Sequence, residues 1–157
     1  MGVSGCGKSS VGIGLAAALN VDYIEGDEFH PKENIEKMSS GVPLNDSDRF
    51  AWLMILHAKI ETAARRGAGL VVSCSSLKRS YRDSLRTANP SARFVHLHGD
   101  RELIARRLAG RSGHFMPPAL LNSQFADLEL LGGDESGVTV DINYTPERIV
   151  EIVLVKK

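Results

Sequence analysis

From end to end the chain alternates short apolar runs with amphipathic stretches. Apolar residues recur at helical spacing from Val11 to Leu19, and Val21 to Ile24 then forms a short strand-like run closing on the acidic turn Glu25-Gly26-Asp27. A loop bearing His30-Pro31 follows. Asp46 has the character of an N-cap, and Trp52, Ile55, Leu56, Ile60 and Ala63 continue a long helix to the stop signal at Gly67 and Gly69. Leu70 to Cys74 reads as a buried strand, Lys78 to Arg86 as a basic helix, and Asn89-Pro90 as a turn. Phe94 to Leu97 predicts the next strand and Arg101 to Leu108 the next helix. Pro117-Pro118 opens a helix that runs through Asp127, because proline is tolerated in a first turn. Gly132-Gly133 breaks the chain before a strand at Val138 to Ile142, and Pro146 to Val155 is the last helix. Strands separated by helices predict an α/β fold whose parallel sheet is covered on both faces, with ligands at the carboxyl ends of the strands.

Composition narrows this picture. The 157 residues fit one domain, 1–157, with no repeat or long linker. Nineteen basic and nineteen acidic residues cancel, so no overall field draws in nucleic acid or an anionic membrane surface, and anion binding has to be local. Two cysteines, Cys6 and Cys74, are too few for a disulfide framework, and no leader or long apolar segment stands out, so a cytoplasmic location is expected.

The local anion site is at the front of the chain. Gly2-Val3-Ser4-Gly5-Cys6-Gly7-Lys8-Ser9 has the spacing of a phosphate-binding loop, in which glycines let successive backbone N–H groups curl around a phosphate at a helix start. On this reading Gly2 to Ser10 bind nucleotide, Lys8 reaches the β- and γ-phosphates, and Ser9 places its hydroxyl on magnesium. A glycine-rich turn that merely caps a helix is the competing reading, and the matched spacing with the correct helix behind it disfavours that. Such a loop should follow a buried central strand, yet only Met1 precedes Gly2. Losing that strand would leave its neighbours' ladder groups unpaired. Since every other element of a working domain is kept, a start placed too late is expected rather than a compromised protein.

Further along, Glu25-Gly26-Asp27, His30-Pro31, Asn34-Ile35-Glu36-Lys37-Met38, Gly41, Pro43-Leu44-Asn45-Asp46, Asp48-Arg49 and Trp52-Leu53 follow one another. Cys74-Ser75, Leu77-Lys78, Tyr81-Arg82-Asp83, Leu85-Arg86, Gly113-His114-Phe115-Met116-Pro117, Ser123-Gln124-Phe125 and Leu128-Glu129 continue the series. Together these strings resemble the gluconate kinase family over virtually the whole chain. The resemblance implies a P-loop kinase three-layer sandwich with a parallel sheet flanked by helices, a small lid at about 109–118, and the first strand missing. It further implies phosphoryl transfer from ATP to the 6-hydroxyl of D-gluconate, with magnesium as cofactor and often a homodimer. Cys6 departs from the serine usual in the family and Ser76 from a common alanine. Cys6 lies at a helix N-terminus beside Lys8, a setting that favours the thiolate and suggests reversible oxidation, although an unreactive small residue is the favoured reading.

Phosphoryl transfer needs an aligned acceptor hydroxyl, a group to orient or deprotonate it, and positive charge over the moving oxygens. Asp27, just after a strand that ends near the loop, suits the second task and can also hold magnesium through water. Arg49, Lys78 and Arg82 are candidates for the gluconate carboxylate and hydroxyls; Lys78 and Arg82, four apart, share one helix face. A solvated basic face is the rival explanation. His30 is a weaker candidate for a substrate hydroxyl, while His57, His96, His98, Tyr81 and Trp52 read as structural. Arg106, Arg107 and Arg111 around Gly110 and Gly113 suggest a lid over the phosphates, with Arg111 and Arg107 on the nucleotide and Arg111 also catalytic. The turn Asn143-Tyr144-Thr145 is the expected edge of the adenine pocket. Alternatives are a kinase of another small hydroxy acid or a non-catalytic nucleotide-binding protein.

Overall fold

The computed structural model describes residues 1–110 and 120–156. Seven helices and four strands are seen among these residues. They are α1 (Lys8–Leu19), β1 (Asp22–Glu25), α2 (Lys32–Ser39), α3 (Asp46–Arg65), β2 (Leu70–Ser73), α4 (Arg79–Ala88), β3 (Phe94–His98), α5 (Arg101–Ala109), α6 (Leu121–Asp127), β4 (Gly137–Asp141) and α7 (Pro146–Val155). The fold is mixed α/β with parallel strands, as the alternation predicts. Periodicity places most elements within a residue or two. It misses α2, whose eight residues hold only Ile35 and Met38 as apolar anchors and whose N-cap is Pro31. The cap of α3 is Asn45 rather than Asp46: the Asn45 side chain accepts from the Asp48 N–H while the Asp48 carboxylate accepts from the Asn45 N–H, a reciprocal capping box.

One expectation is corrected. In place of one continuous sheet there are two parallel ribbons: β1 pairs β2 from Asp22↔Leu70 to Glu25↔Ser73, and β3 pairs β4 from Phe94↔Gly137 to His98↔Asp141. Among the described residues β2 and β3 pair with no other strand. The physical reason lies between them. Met1 sits there alone, its amino group donating to the Val95 carbonyl at 2.5 Å and its carbonyl accepting from the Leu97 N–H at 3.0 Å. Gly2 then donates to the Ser75 carbonyl at 3.0 Å. Below this stub an apolar slot of about 440 Å³ runs between β2 and β3.

Apolar clusters lie on both sides of the ribbons. Val11 and Leu15 of α1, Ile104 and Leu108 of α5, Ile149 of α7 and Leu97 of β3 form one. Trp52, Leu53 and Leu56 of α3 with Tyr81 and Leu85 of α4 form the other. At the carboxyl end of β1, Gly26 passes so close to β2 that a Cβ there would stand 2.3 Å from the Ser73 carbonyl oxygen. The absence of a side chain lets the 3-10 turn Gly26–Phe29 fold back against β2, and the Trp52 indole N–H fastens it by donating to the Gly26 carbonyl at 2.7 Å.

Candidate functional site

The phosphate loop leads into α1 through two positive-φ glycines, Gly5 (φ 82°) and Gly7 (φ 96°). Gly7 is the N-cap of α1 and has no side chain to offer the first-turn N–H groups, which stay open to an anion at the positive end of the helix dipole. Lys8 bends back so that its ammonium donates to the Val3 carbonyl at 3.1 Å. The Ser4 N–H donates to Gln124 Oε1 at 2.6 Å, tying α6 to the loop.

Around this loop opens a cavity of about 700 Å³, lined by Ser4, Gly5, Gly7, Lys8, Ser9, Ser10, Glu25, Asp27 and, from α5, Arg107 and Gly110. The structure therefore brings Ser4, Gly5, Gly7, Lys8, Ser9 and Ser10 of the predicted loop to one space with Asp27 and Arg107, whereas Gly2, Val3 and Cys6 do not line it. Arg107 also donates to the Ile142 carbonyl at 2.8 Å, which puts it beside the Asn143-Tyr144-Thr145 turn. Arg111 and most of the expected lid, with Gly113 to Pro118, lie outside the described residues.

Sequence reasoning missed Glu25. Its carboxylate accepts from Ser9 Oγ at 2.5 Å, from the Tyr23 hydroxyl at 2.8 Å and from Ser73 Oγ at 2.9 Å. Burial raises its proton affinity, but the hydrogen bonds from Ser9, Tyr23 and Ser73 and the nearby Lys8 charge outweigh that and hold it ionised below the ordinary range. Tyr23, half-buried beside this carboxylate, is pushed up to about 12 by that burial and stays a phenol. The signal was the first acid in Glu25-Gly26-Asp27, two residues before the one chosen.

A second, much tighter pocket of about 20 Å³ adjoins the loop, lined by Ser4, Lys8, Asp27, His30, Arg49, Trp52 and Gln124. His30 stacks on Trp52 with centroids 4.2 Å apart and planes 15° from parallel. Burial, helped by the Arg49 charge and opposed by Asp27, lowers its pKa to about 4, so at neutral pH it is an uncharged ring able to donate and accept. Arg49 is 8% exposed and donates to the Tyr81 hydroxyl at 3.2 Å and to Asp127 at 3.0 Å. Asp27, His30 and Arg49 thus meet beside Lys8.

Lys78 and Arg82 do not join them. Lys78 is the extended N-cap of α4 rather than its first helical residue, so the shared-face argument fails. Its ammonium bonds Asp46 at 2.7 Å and lies 3.9 Å from Asp127, at the rim. Arg82 is fully enclosed. Its guanidinium forks onto Glu135 at 2.6 and 2.8 Å, and its remaining N–H groups go to the carbonyls of Ser76, Leu77, Glu129 and Leu130. With no donor left over, Arg82 is a clamp holding the chain after α6 to α4, not a group that meets solvent or ligand. Cys6 is also enclosed, at 1% exposure, whereas oxidation-sensitive thiols need access.

Magnesium prefers oxygen ligands, keeps several waters, and takes one or two protein oxygens besides those of the phosphates. The Ser9 hydroxyl, with Asp27 and Glu25 lining the same cavity, fits that preference.

The shikimate kinase family model matches residues 4–130. A gluconokinase of Gluconobacter oxydans is 46% identical over 151 residues, covering 96% of this chain and 85% of its own length. A sugar kinase from Janibacter sp., crystallised unliganded, superposes with a TM-score of 0.94 at 45% identity, covering 99% of this chain and 90% of that one. A gluconokinase from Sinorhizobium meliloti gives 0.86 at 45% identity, with 99% and 87% covered.

Proposed function

The chain belongs to the gluconokinase family, within the broader group that the shikimate kinase model describes, and on that premise we propose that it transfers the γ-phosphoryl group of ATP to the 6-hydroxyl of D-gluconate, giving 6-phospho-D-gluconate and ADP. One observation carries the reading beyond the family likeness. Lys8, Asp27, His30 and Arg49 converge on a small pocket that opens beside the phosphate loop, where an acceptor hydroxyl would face the γ-phosphate.

The loop amides and Lys8 hold the β- and γ-phosphates, and Arg107 adds positive charge from the α5 side of the cavity. Ser9 and Asp27 would hold magnesium, with Glu25 accepting the Ser9 proton so that the hydroxyl lone pair faces outward. Magnesium held by those residues would supply charge that offsets that of the phosphates. Arg49 pairs with the gluconate carboxylate, and His30, neutral and stacked, orients a hydroxyl. Asp27 takes the proton of the attacking hydroxyl as its oxygen bonds to γ-phosphorus and the bond to the bridging oxygen of ADP breaks. Arg111 is proposed to close over the phosphates from the lid.

ADP release by the purified protein with magnesium-ATP tests this, comparing D-gluconate with shikimate, glycerate, AMP and no acceptor. Release only with gluconate is expected. Release with another acceptor, or with none of them, overturns the substrate assignment.

A further inference from the structure

We propose that Tyr23 is a positioning residue for the divalent cation that accompanies the nucleotide: with Ser73 it fixes the Glu25 carboxylate, and through that carboxylate it turns the Ser9 hydroxyl so that its lone pairs face the phosphate cavity. The inference rests on the reading of Ser9 as a metal ligand and adds the residues that aim it. Three observations carry it.

The first is register. Side chains two apart on a strand share a face, and residues paired across a parallel ladder share it too. Tyr23 and Glu25 of β1, with Ser73 of β2 paired to Glu25, therefore stand together on one face. That face is the one towards α1, whose Gly12 and Ser9 they meet. Tyr23 does not itself line the phosphate cavity, whereas Ser9 and Glu25 do, so any effect of Tyr23 there passes through them.

The second is the hydrogen bonding. Both Glu25 oxygens are engaged from within the protein: Oε2 by Ser9 Oγ at 2.5 Å and the Tyr23 hydroxyl at 2.8 Å, Oε1 by Ser73 Oγ at 2.9 Å. The Tyr23 and Ser73 oxygens are also 2.9 Å apart, and either can donate to the other. Each arrangement leaves a hydroxyl proton on the carboxylate. If Tyr23 donates to Ser73, Ser73 donates to Oε1; if Ser73 donates to Tyr23, Tyr23 donates to Oε2. The last torsion of a glutamate is broad, so a carboxylate held at one point is free to turn, and contacts at both oxygens remove that freedom. An ionised carboxylate can only accept, which commits the Ser9 proton to Glu25 and leaves the Ser9 lone pairs for other partners.

The third is the niche that admits the ring. Glycine inside a helix is destabilising, yet Gly12 lies within α1 and is buried. The phosphate-loop spacing ends at Ser9 and gives no reason for a glycine three residues further on. The Tyr23 ring does: a Cβ on Gly12 would stand 2.6 Å from it. The missing side chain lets the ring pass beneath α1 and deliver its hydroxyl to Glu25.

The test uses Tyr23→Phe, which keeps the ring and removes only the hydroxyl. The dissociation constant of ADP is measured by calorimetry with saturating Mg2+ and again in EDTA. No acceptor enters the measurement, so it stands or falls separately from the gluconate assignment. Tyr23→Phe is expected to weaken Mg2+-ADP by about 10-fold, the lower end of what losing an outer-shell partner costs. Affinity in EDTA should stay within about 2-fold, because the loop amides are untouched. Glu25→Ala should lose at least as much, and Tyr23→Phe added to it should cost less than about 2-fold more, since both act on one ligand. Ser73→Ala should show the same Mg2+-dependent pattern, and it carries the test if Tyr23→Phe does not fold. Equal losses in Mg2+ and in EDTA reduce Tyr23 to a support of the loop and overturn the proposal. Unchanged Mg2+-ADP affinity, or additive losses in the double variant, do the same. An unsubstituted protein whose ADP affinity ignores Mg2+ overturns the metal role of Ser9 and this inference with it.

Discussion

Two regions of the molecule are each built around an almost fully enclosed arginine, yet they do opposite work. In the proposed acceptor pocket Arg49 is shared between Tyr81 and Asp127 and still borders open space beside Lys8 and Asp27. Behind it, Arg82 has every donor satisfied by Glu135 and four carbonyls. Sequence spacing gives both the same appearance, a basic residue in the early turns of a helix. What separates function from scaffold is whether the donors are used up.

Removing each arginine should therefore break different things. Arg82→Ala leaves the buried Glu135 carboxylate with only the Gly132 N–H at 2.9 Å and Arg79 at 3.7 Å, at a cost of about 3 kcal/mol. The expected fall in thermal midpoint is roughly 10 °C or more, with the gluconate Michaelis constant of the surviving folded protein unchanged. A higher Michaelis constant with unchanged stability would return Arg82 to the substrate. Arg49→Ala is expected to lower kcat/KM for gluconate by roughly 100-fold, the size of a lost charge-assisted contact, with a smaller loss of midpoint because its partner Asp127 reaches solvent.

A pH series sharpens the same contrast from the scaffold side. His96 is fully buried, no partner for its ring nitrogens is found among the described residues, and its pKa is lowered to about 4 by burial with the neighbouring amino terminus, His98 and Arg82. Above the ordinary value of about 6.5 both folded and unfolded forms are neutral and nothing is lost. As pH falls from there towards 4, the unfolded chain takes up a proton that the folded one refuses, so stability declines across that window. His30 acts in the same direction, and Glu135, held down to about 2 by Arg82, extends the loss below 4.5. The urea midpoint is expected to drop between pH 6.5 and 4.5, and to drop less in His96→Gln. The smallest effect belongs to Lys78→Ala, whose partner Asp46 is exposed: at most a few-fold in the Michaelis constant and under about 1 kcal/mol in stability.

Much of this was legible because periodicity reports burial, and burial is what makes these elements. The phosphate loop was legible because its glycines have a backbone reason to be where they are. What escaped depended on contacts distant in sequence. The enclosure of Arg82 escaped because its partner Glu135 lies 53 residues away. Glu25 escaped because its three donors come from α1, its own strand and β2. The shared face of Lys78 and Arg82 failed at a helix boundary, the least predictable feature of a helix.

The protein contains one tryptophan, Trp52, and its indole ring lies under His30 at the wall of the acceptor pocket. All intrinsic indole emission therefore originates at the place where gluconate is proposed to bind. A ligand that displaces or protonates His30 alters the quenching of that single fluorophore, so acceptor binding can be followed by unlabelled fluorescence titration without nucleotide or turnover.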